Sequence, residues 1–259
     1  MSAKGEGLGR VLTVALGLCL VCSIIVSTAA VVLKPAQQAN KTLDLKRNIL
    51  MAAGLLDPAR SVEEQFEQVE TRVVDLDEGR FVDGVDPATF DQREAAKDPE
   101  SSRAIPSEQD VAKLVRREDQ ALVYLVRSEN GDLDKIILPI RGYGLWSTLY
   151  GFMALESDGN TVAGLGFYEH GETPGLGGEV DNPRWKSLWP GKQVYRGDQV
   201  SIQVLKGSVP AGSNDAAWQV DGLSGATLTT KGVDNLVRYW LGEQGFKPLL
   251  DNLRQGEAS

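Results

Sequence analysis

Cysteine and histidine are nearly missing from this chain of 259 residues. The two cysteines, Cys19 and Cys22, both fall in an apolar N-terminal run, so the body beyond it has neither a disulfide nor a thiolate metal site. One histidine, His170, leaves few routes to a histidine-based triad or a zinc centre, and it fits a polar loop position better than a catalytic one. There is no cysteine set spaced for an iron–sulfur cluster and no Gly-x-Gly-x-x-Gly after a strand, which removes the usual mark of an NADH site. Positive charge is also in deficit. The 27 Lys and Arg against 36 Asp and Glu leave a net charge of −9, which argues against nucleic acid, since neutralising phosphates takes clustered cations. Internal repeats and low-complexity tracts are absent too. A content of 42% hydrophobic and 24% charged residues suits one globular domain with extensions.

What the chain does have is one long apolar run. Residues 11–33 carry no charge, and as a helix they reach roughly 35 Å, enough to cross a hydrocarbon core of about 30 Å. Ser27-Thr28-Ala29 resembles a small-residue cleavage site, but the run continues through Val31, Val32 and Leu33, so an uncleaved anchor is expected. Leu18 and Val21 stand where a lipid-attachment box needs a small residue, so Cys19 and Cys22 read as small residues of a membrane helix. Lys4 and Arg10 precede the span, but Lys34, Lys41, Lys46 and Arg47 follow it, and charge alone determines the orientation of the anchor poorly.

Leu43, Ile49, Leu50, Ala53 and Leu56 have helical spacing, which predicts a helix over 40–56 ended by Asp57-Pro58. Ser61 followed by Glu64 is a capping box for a second, short helix carrying Phe66 and Val69. Residues 83–110 are polar, with Pro87, Pro99 and Pro106, and read as a surface connection. Strands follow. Segments 121–127 and 135–140 flank Asn130-Gly131, and segments 150–156 and 162–169 flank the turn 157–160, giving two hairpins. Val200, Ile202 and Val204 alternate within a strand over 199–205. Val233, Leu236, Val237, Trp240 and Leu241 form one apolar helix face, with Gly245 as its C-terminal cap. Hairpins with a packed helix give an α+β fold of antiparallel strands and helices behind a single N-terminal transmembrane helix.

Two stretches carry the chemistry. In "DGLSGATLTT" (221–230), Gly225 and Ala226 let backbone N–H groups approach a ligand, and the following helix adds its partial positive end. Lys231 lies four residues past Thr227, not in a Gly-Lys-Ser/Thr sequence, so a diffusible nucleotide triphosphate is disfavoured. The same spacing also fits a plain glycine turn with a Ser or Thr helix cap. The second stretch, "HGETPGLGGE" (170–179), has four glycines and a proline in ten residues, more than a surface turn needs.

Together with "GETPGLGGEVDNPRW" (171–185), "GYGLWS" (142–147) and the single anchor, these stretches resemble the FMN-binding domain of the C-subunit of the bacterial Na+-translocating NADH:quinone oxidoreductase over nearly the whole chain. "DGLSGAT" fills every position of that family's flavinylation motif. The G-subunit of the Rnf electron-transport complex shares the motif, but the complete "GETPGLGGEVDNP" and "GLW" stretches favour the former. The resemblance implies one FMN held through a phosphoester on Thr227, installed by a flavin transferase from FAD with Mg2+. Ser224, Gly225 and Ala226 would shape the loop around it, and Thr229 and Thr230 would cap the helix or bond phosphate oxygens. The loop 172–177, with Glu172, Thr173, Gly175, Leu176 and Gly177, would lie against the isoalloxazine. Trp146 is a further candidate for ring contact, with a buried core position as its alternative reading.

The resemblance further implies an electron relay, not a complete catalyst, within a six-subunit inner-membrane complex that reduces ubiquinone and exports Na+, the soluble domain facing the periplasm. The implied organisation is a tail over 1–10, a transmembrane helix over 11–33, juxtamembrane helices and linker over 34–110, and an FMN-binding domain over 111–259. A membrane-anchored module binding a non-covalent anion and a purely structural assembly protein are the readings from other classes.

Overall fold

The computed structural model describes residues 7–128 and 130–257, and the chain divides into two compact units, Met1–Leu45 and Lys46–Ser259. Helix α1 (Leu8–Ala52) is unbroken through 45 residues, with Pro35 inside it. Its apolar stretch is long enough to cross a membrane and fully exposed, from Val11 and Leu12 to Val32 and Leu33, a surface that fits a membrane anchor. The helix expected over 40–56 is therefore the continuation of α1. It stops earlier than Asp57-Pro58 because Gly54 turns left-handed (φ +69°). The Leu55 N–H then bonds the Leu50 carbonyl (2.8 Å) and the Gly54 N–H bonds that of Met51 (3.1 Å), the paired bonds of a glycine-terminated helix.

In chain order the second unit continues with α2 (Val62–Phe66), β1 (Val69–Asp75), β2 (Arg80–Phe81), α3 (Gln92–Ala95), β3 (Ser102–Ala104) and β4 (Arg116–Glu118). Next come β5 (Gln120–Arg127), β6 (Leu133–Tyr143), β7 (Thr148–Glu156), β8 (Val162–Glu169), α4 (Pro183–Lys186), β9 (Tyr195–Arg196) and β10 (Gln199–Val200). The chain ends with β11 (Gln203–Val204), β12 (Gln219–Val220), α5 (Thr227–Trp240) and α6 (Lys247–Gln255). Six strands form one antiparallel sheet in the order β2-β1-β5-β6-β7-β8, and α5 packs on β6. The fold is α+β.

Several local expectations change. Ser61 caps α2 as its spacing predicts, its hydroxyl accepting the Glu64 N–H (3.2 Å), but the helix ends at Phe66. Val69 opens a strand instead, and β1 pairs with β5 from Val69↔Val126 to Asp75↔Gln120. The sheet thus draws on the segment read as linker, and the compact unit reaches N-terminal of residue 111. Charged Glu70 and Arg72 alternate with Val69, Thr71 and Val73 on β1, and Glu70 pairs with both Arg72 (3.2 Å) and Arg127 (2.9 Å).

In the first hairpin β5 ends at Arg127 and β6 begins at Leu133, wider apart than a two-residue Asn-Gly turn allows, and Ser128 N–H donates to the Asp132 carbonyl (2.8 Å). In the second, the Asp158 carboxylate accepts the N–H groups of Asn160 and Thr161 (2.8 Å each). The strand expected over 199–205 is broken into β10 and β11, because Ser201 and Ile202 both turn their N–H groups to the Val194 carbonyl (2.8 and 3.0 Å). The apolar face of α5 is buried as its periodicity predicts. Gly245 is not its cap, however. The helix ends at Trp240, and Gly245 lets the returning chain cross the Trp240 backbone where a Cβ has no room.

Ile49 and Leu50, in the last turn of α1, are fully buried, and the Ala52 carbonyl lies so close to Gly164 of β8 that no side chain fits between them. The end of α1 therefore belongs to the core. In a chain shortened to begin near Lys34, Leu50→Ala is expected to cost about 2–5 kcal/mol in urea unfolding. An unchanged midpoint would remove this turn from the core.

Candidate functional site

The site forms where β6 ends. Gly142 and Gly144 bracket Tyr143, and both are glycine for lack of space. A Cβ on Gly142 would lie 2.5 Å from the Leu236 Cβ of α5, and one on Gly232 of α5 would lie 2.5 Å from the Tyr143 carbonyl and 2.8 Å from the Gly144 Cα. Helix and strand end thus meet backbone to backbone. Beyond Gly144 the chain makes a short turn, 145–147, into β7.

Glu172 holds this corner. Its side chain is turned inward, with the residue 5% exposed, although the resemblance implied a place against the flavin ring. Oε1 accepts the backbone N–H groups of Leu145 (3.0 Å), Trp146 (2.9 Å) and Ser147 (3.2 Å), and Oε2 accepts the hydroxyl of Thr229 in the first turn of α5 (2.7 Å). Burial alone would raise its pKa, but the Thr229 hydroxyl and the three N–H groups outweigh that and hold the carboxyl below the ordinary carboxylate value. Two more glycine positions make the room. A Cβ on Gly144 would sit 2.6 Å from Oε1, and one on Gly177 would sit 2.5 Å from the Thr229 hydroxyl and 2.6 Å from Oε2.

The remaining residues of the glycine-rich stretch set the loop in place. His170 Nδ1 accepts the Glu172 N–H (3.2 Å), which puts the ring proton on Nε2, donated to Asp181 (2.8 Å). Asn182 caps α4 through the Arg184 N–H (2.9 Å), with Pro183 at the first helical position. That short helix buries Trp185, whose indole N–H donates to the Asp221 carbonyl (2.8 Å) and ties the second motif to the first. Gly222 is required next to it, since the Leu205 carbonyl occupies the position of a Cβ. Gly225 takes φ +73°, and a Cβ there would lie 3.3 Å from the Leu176 side chain, so the two loops touch.

Thr227 is the first residue of α5 and exposed, as are Ser224 and Gly225, while Ala226 is buried and caps the helix without any side-chain bond. The first intrahelical bond is Thr230 N–H to the Ala226 carbonyl (2.9 Å), so the N–H groups before it lack an intrahelical acceptor. Thr229 and Thr230 are buried: the former donates to Glu172, and the latter accepts the Leu223 N–H (3.0 Å). They fasten the turn, one hydroxyl held by the Glu172 carboxylate and the other by the Leu223 N–H. Thr173 and Gly175 are exposed and Gly177 is buried. Trp146 is 65% exposed, not a core residue, and joins Leu176 (46%) and Leu228 (61%) as open apolar surface on the segments that Glu172 and Leu176 connect. Sequence reasoning missed Thr229 as the partner of Glu172. The glycines at 144, 177 and 232 were the available signal, but only their meeting in space gives it meaning.

Residues 144–242 match the family model of the FMN-binding domain. The chain is 56% identical over 262 residues to the C-subunit of the Na(+)-translocating NADH-quinone reductase of Pseudomonas aeruginosa, covering 99% of this chain and all of that one. It is 49% identical to the C-subunit of the Vibrio alginolyticus reductase, over the full length of both. The crystal structure of Shewanella oneidensis NqrC superimposes with a TM-score of 0.77 at 36% identity, covering 84% of this chain and 99% of that one. The C-subunit structure from Parabacteroides distasonis gives 0.66 at 29%, covering 84% and 96%.

Gly177→Ala is expected to push Thr229 and Glu172 apart and to destabilise the chain by about 1–3 kcal/mol in chemical denaturation. A native midpoint would show that the corner has slack. The lowered pKa of Glu172 has a pH consequence with a definite sign: its stabilisation is present above the ordinary carboxylate value of 4.5 and is lost as pH falls through the lower native value. In a stability–pH profile the acid limb should flatten in Glu172→Gln, and an acid limb of native steepness would assign it to other carboxylates.

Proposed function

The chain belongs to the C-subunit family of the Na(+)-translocating NADH-quinone reductases, and we propose from that membership and the site geometry that Thr227 carries its FMN through a phosphoester bond. It is a flavin electron-relay subunit of this oxidoreductase complex. When bound, FMN takes up and passes on electrons, and the chain supplies the place and the surroundings.

The observation that carries the attachment is the position of Thr227: a hydroxyl at the first residue of a 14-residue helix, open to solvent, next to the left-handed Gly225. Four side-chain hydroxyls lie in the stretch 221–230. Thr229 and Thr230 are buried and bonded, which leaves Thr227 and Ser224. Only Thr227 stands on the helix, where first-turn N–H groups and the helix dipole favour an anion. In the attachment step, Thr227 Oγ would form the bond to the flavin-side phosphorus of FAD while the bond from that phosphorus to the bridging oxygen breaks, AMP leaving with that oxygen and the hydroxyl proton passing to solvent. A flavin transferase using Mg2+ performs it. Ser224, Gly225 and Ala226 shape the turn. Exposed Trp146, Leu176 and Leu228 offer apolar surface for the isoalloxazine, with Thr173 and Gly175 along the same loop. Glu172 and Gly177 stand behind them.

The residues matched to the FMN-binding domain fall inside the 111–259 span read from the sequence. Helix α1 anchors the chain in the inner membrane, with the flavin domain on the periplasmic side where the transferase acts, as one of six subunits.

Intact-protein mass of chain produced together with its transferase tests the attachment. Thr227→Ala removes the hydroxyl at an exposed position, so the fold should remain while the FMN increment and the fluorescence of the denatured band disappear. Ser224→Ala and Thr229→Ala should keep the covalent flavin. A Thr227→Ala chain that still carried covalent FMN would contradict the assignment.

A further inference from the structure

The partners of Glu172 are all neutral: three backbone N–H groups and one threonine hydroxyl. With three N–H groups converging on Oε1, that oxygen has no room for a proton, and the geometry suits an ionised carboxylate. Among the described residues no cation pairs with it, so the charge is stabilised by dipoles and not cancelled. The carboxylate also joins three segments that are distant in sequence. These are the turn bearing exposed Trp146, the loop bearing exposed Leu176, and the first turn of α5, two residues after Thr227.

We propose that Glu172 is a positioning residue of the flavin site, which fixes the Trp146 turn to the start of α5 and keeps an uncancelled negative charge behind the surface that receives the ring. The proposal rests on the FMN reading above. Its first consequence is mechanical. Without the carboxylate, three N–H groups converge on nothing and Thr229 loses its acceptor, so the turn and the helix no longer move as one piece. Its second consequence is electrostatic. Reduction adds electrons to the ring, and a fixed negative charge nearby opposes that gain, so the carboxylate holds the flavin midpoint potential below the value it would have otherwise.

Two measurements on the full-length flavinylated chain separate these consequences: hydrogen exchange at the amides of Leu145, Trp146 and Ser147, and the flavin midpoint potential. Glu172→Gln keeps an acceptor oxygen and removes the charge, and Glu172→Ala removes both. Exchange at the three amides should quicken on the order of tenfold in Glu172→Ala, as for the loss of hydrogen bonds from a closed turn. It should stay near the native rate in Glu172→Gln, while the midpoint moves to a more positive value in both. Native exchange in Glu172→Ala, or a native midpoint in Glu172→Gln, would overturn the proposal, because a merely structural glutamate leaves the potential where it was. If Glu172→Ala fails to fold, Thr229→Val cuts only the arm to α5. It should quicken exchange at Trp146, and Thr229→Ser should restore the native rate; native exchange in Thr229→Val would again overturn the link. A chain found without FMN would sink the reading of Thr227, while the exchange rates would still decide whether Glu172 holds the two segments together.

Discussion

A carboxylate taken out of water must either find donors or give up its charge, and the corner of the sheet is arranged around that requirement at Glu172. The turn after β6 supplies three N–H groups that no strand uses, and α5 supplies a hydroxyl from a threonine with no exposed surface. Loop, turn and helix are placed relative to one another by one side chain. Each of these three segments carries part of the surface where the flavin is proposed to sit.

The packing around that carboxylate explains residues that a motif leaves unexplained. Gly144 and Gly177 are required because Glu172 and Thr229 fill the space a Cβ would take, and Gly232 because α5 meets the backbone at the end of β6. The second tether, from the Trp185 indole to the Asp221 carbonyl, accounts for the conjunction of "DNPRW" with "DG": a capped short helix aims an indole at a carbonyl of the segment that leads into α5. The helix that bears Thr227 is held from below as well, where Asp234, buried on α5, accepts the Val204 N–H of β11 (3.0 Å). Packed elements thus carry the exposed threonine, while the residues before it, Gly225 and Ala226, stay small.

The apolar anchor, both central hairpins and the apolar face of α5 were legible because each repeats one simple pattern over many residues. What was hidden depended on distance in the sequence. Strand β1 is tied to the central strands through β5, some fifty residues on, a pairing that local spacing does not show. Helix α6 passed unnoticed behind Gly245, whose real constraint is the nearby Trp240 backbone. In the candidate site, the motif marked the turn before α5 but not the direction of its side chains. Glu172 and Thr229 face each other inside the corner, and no spacing rule links positions 172 and 229. The nature of the anion came from the resemblance, while the geometry narrows the motif's four hydroxyls to two exposed ones.

The central claim is that Thr227, one of those two hydroxyls, carries the cofactor. Tandem mass spectrometry of the tryptic peptide ending at Lys231, taken from full-length chain made alongside its transferase, reads this directly. The account predicts one FMN increment on that peptide, with fragment ions placing it on Thr227. An increment on Ser224, on another peptide, or on none would contradict it.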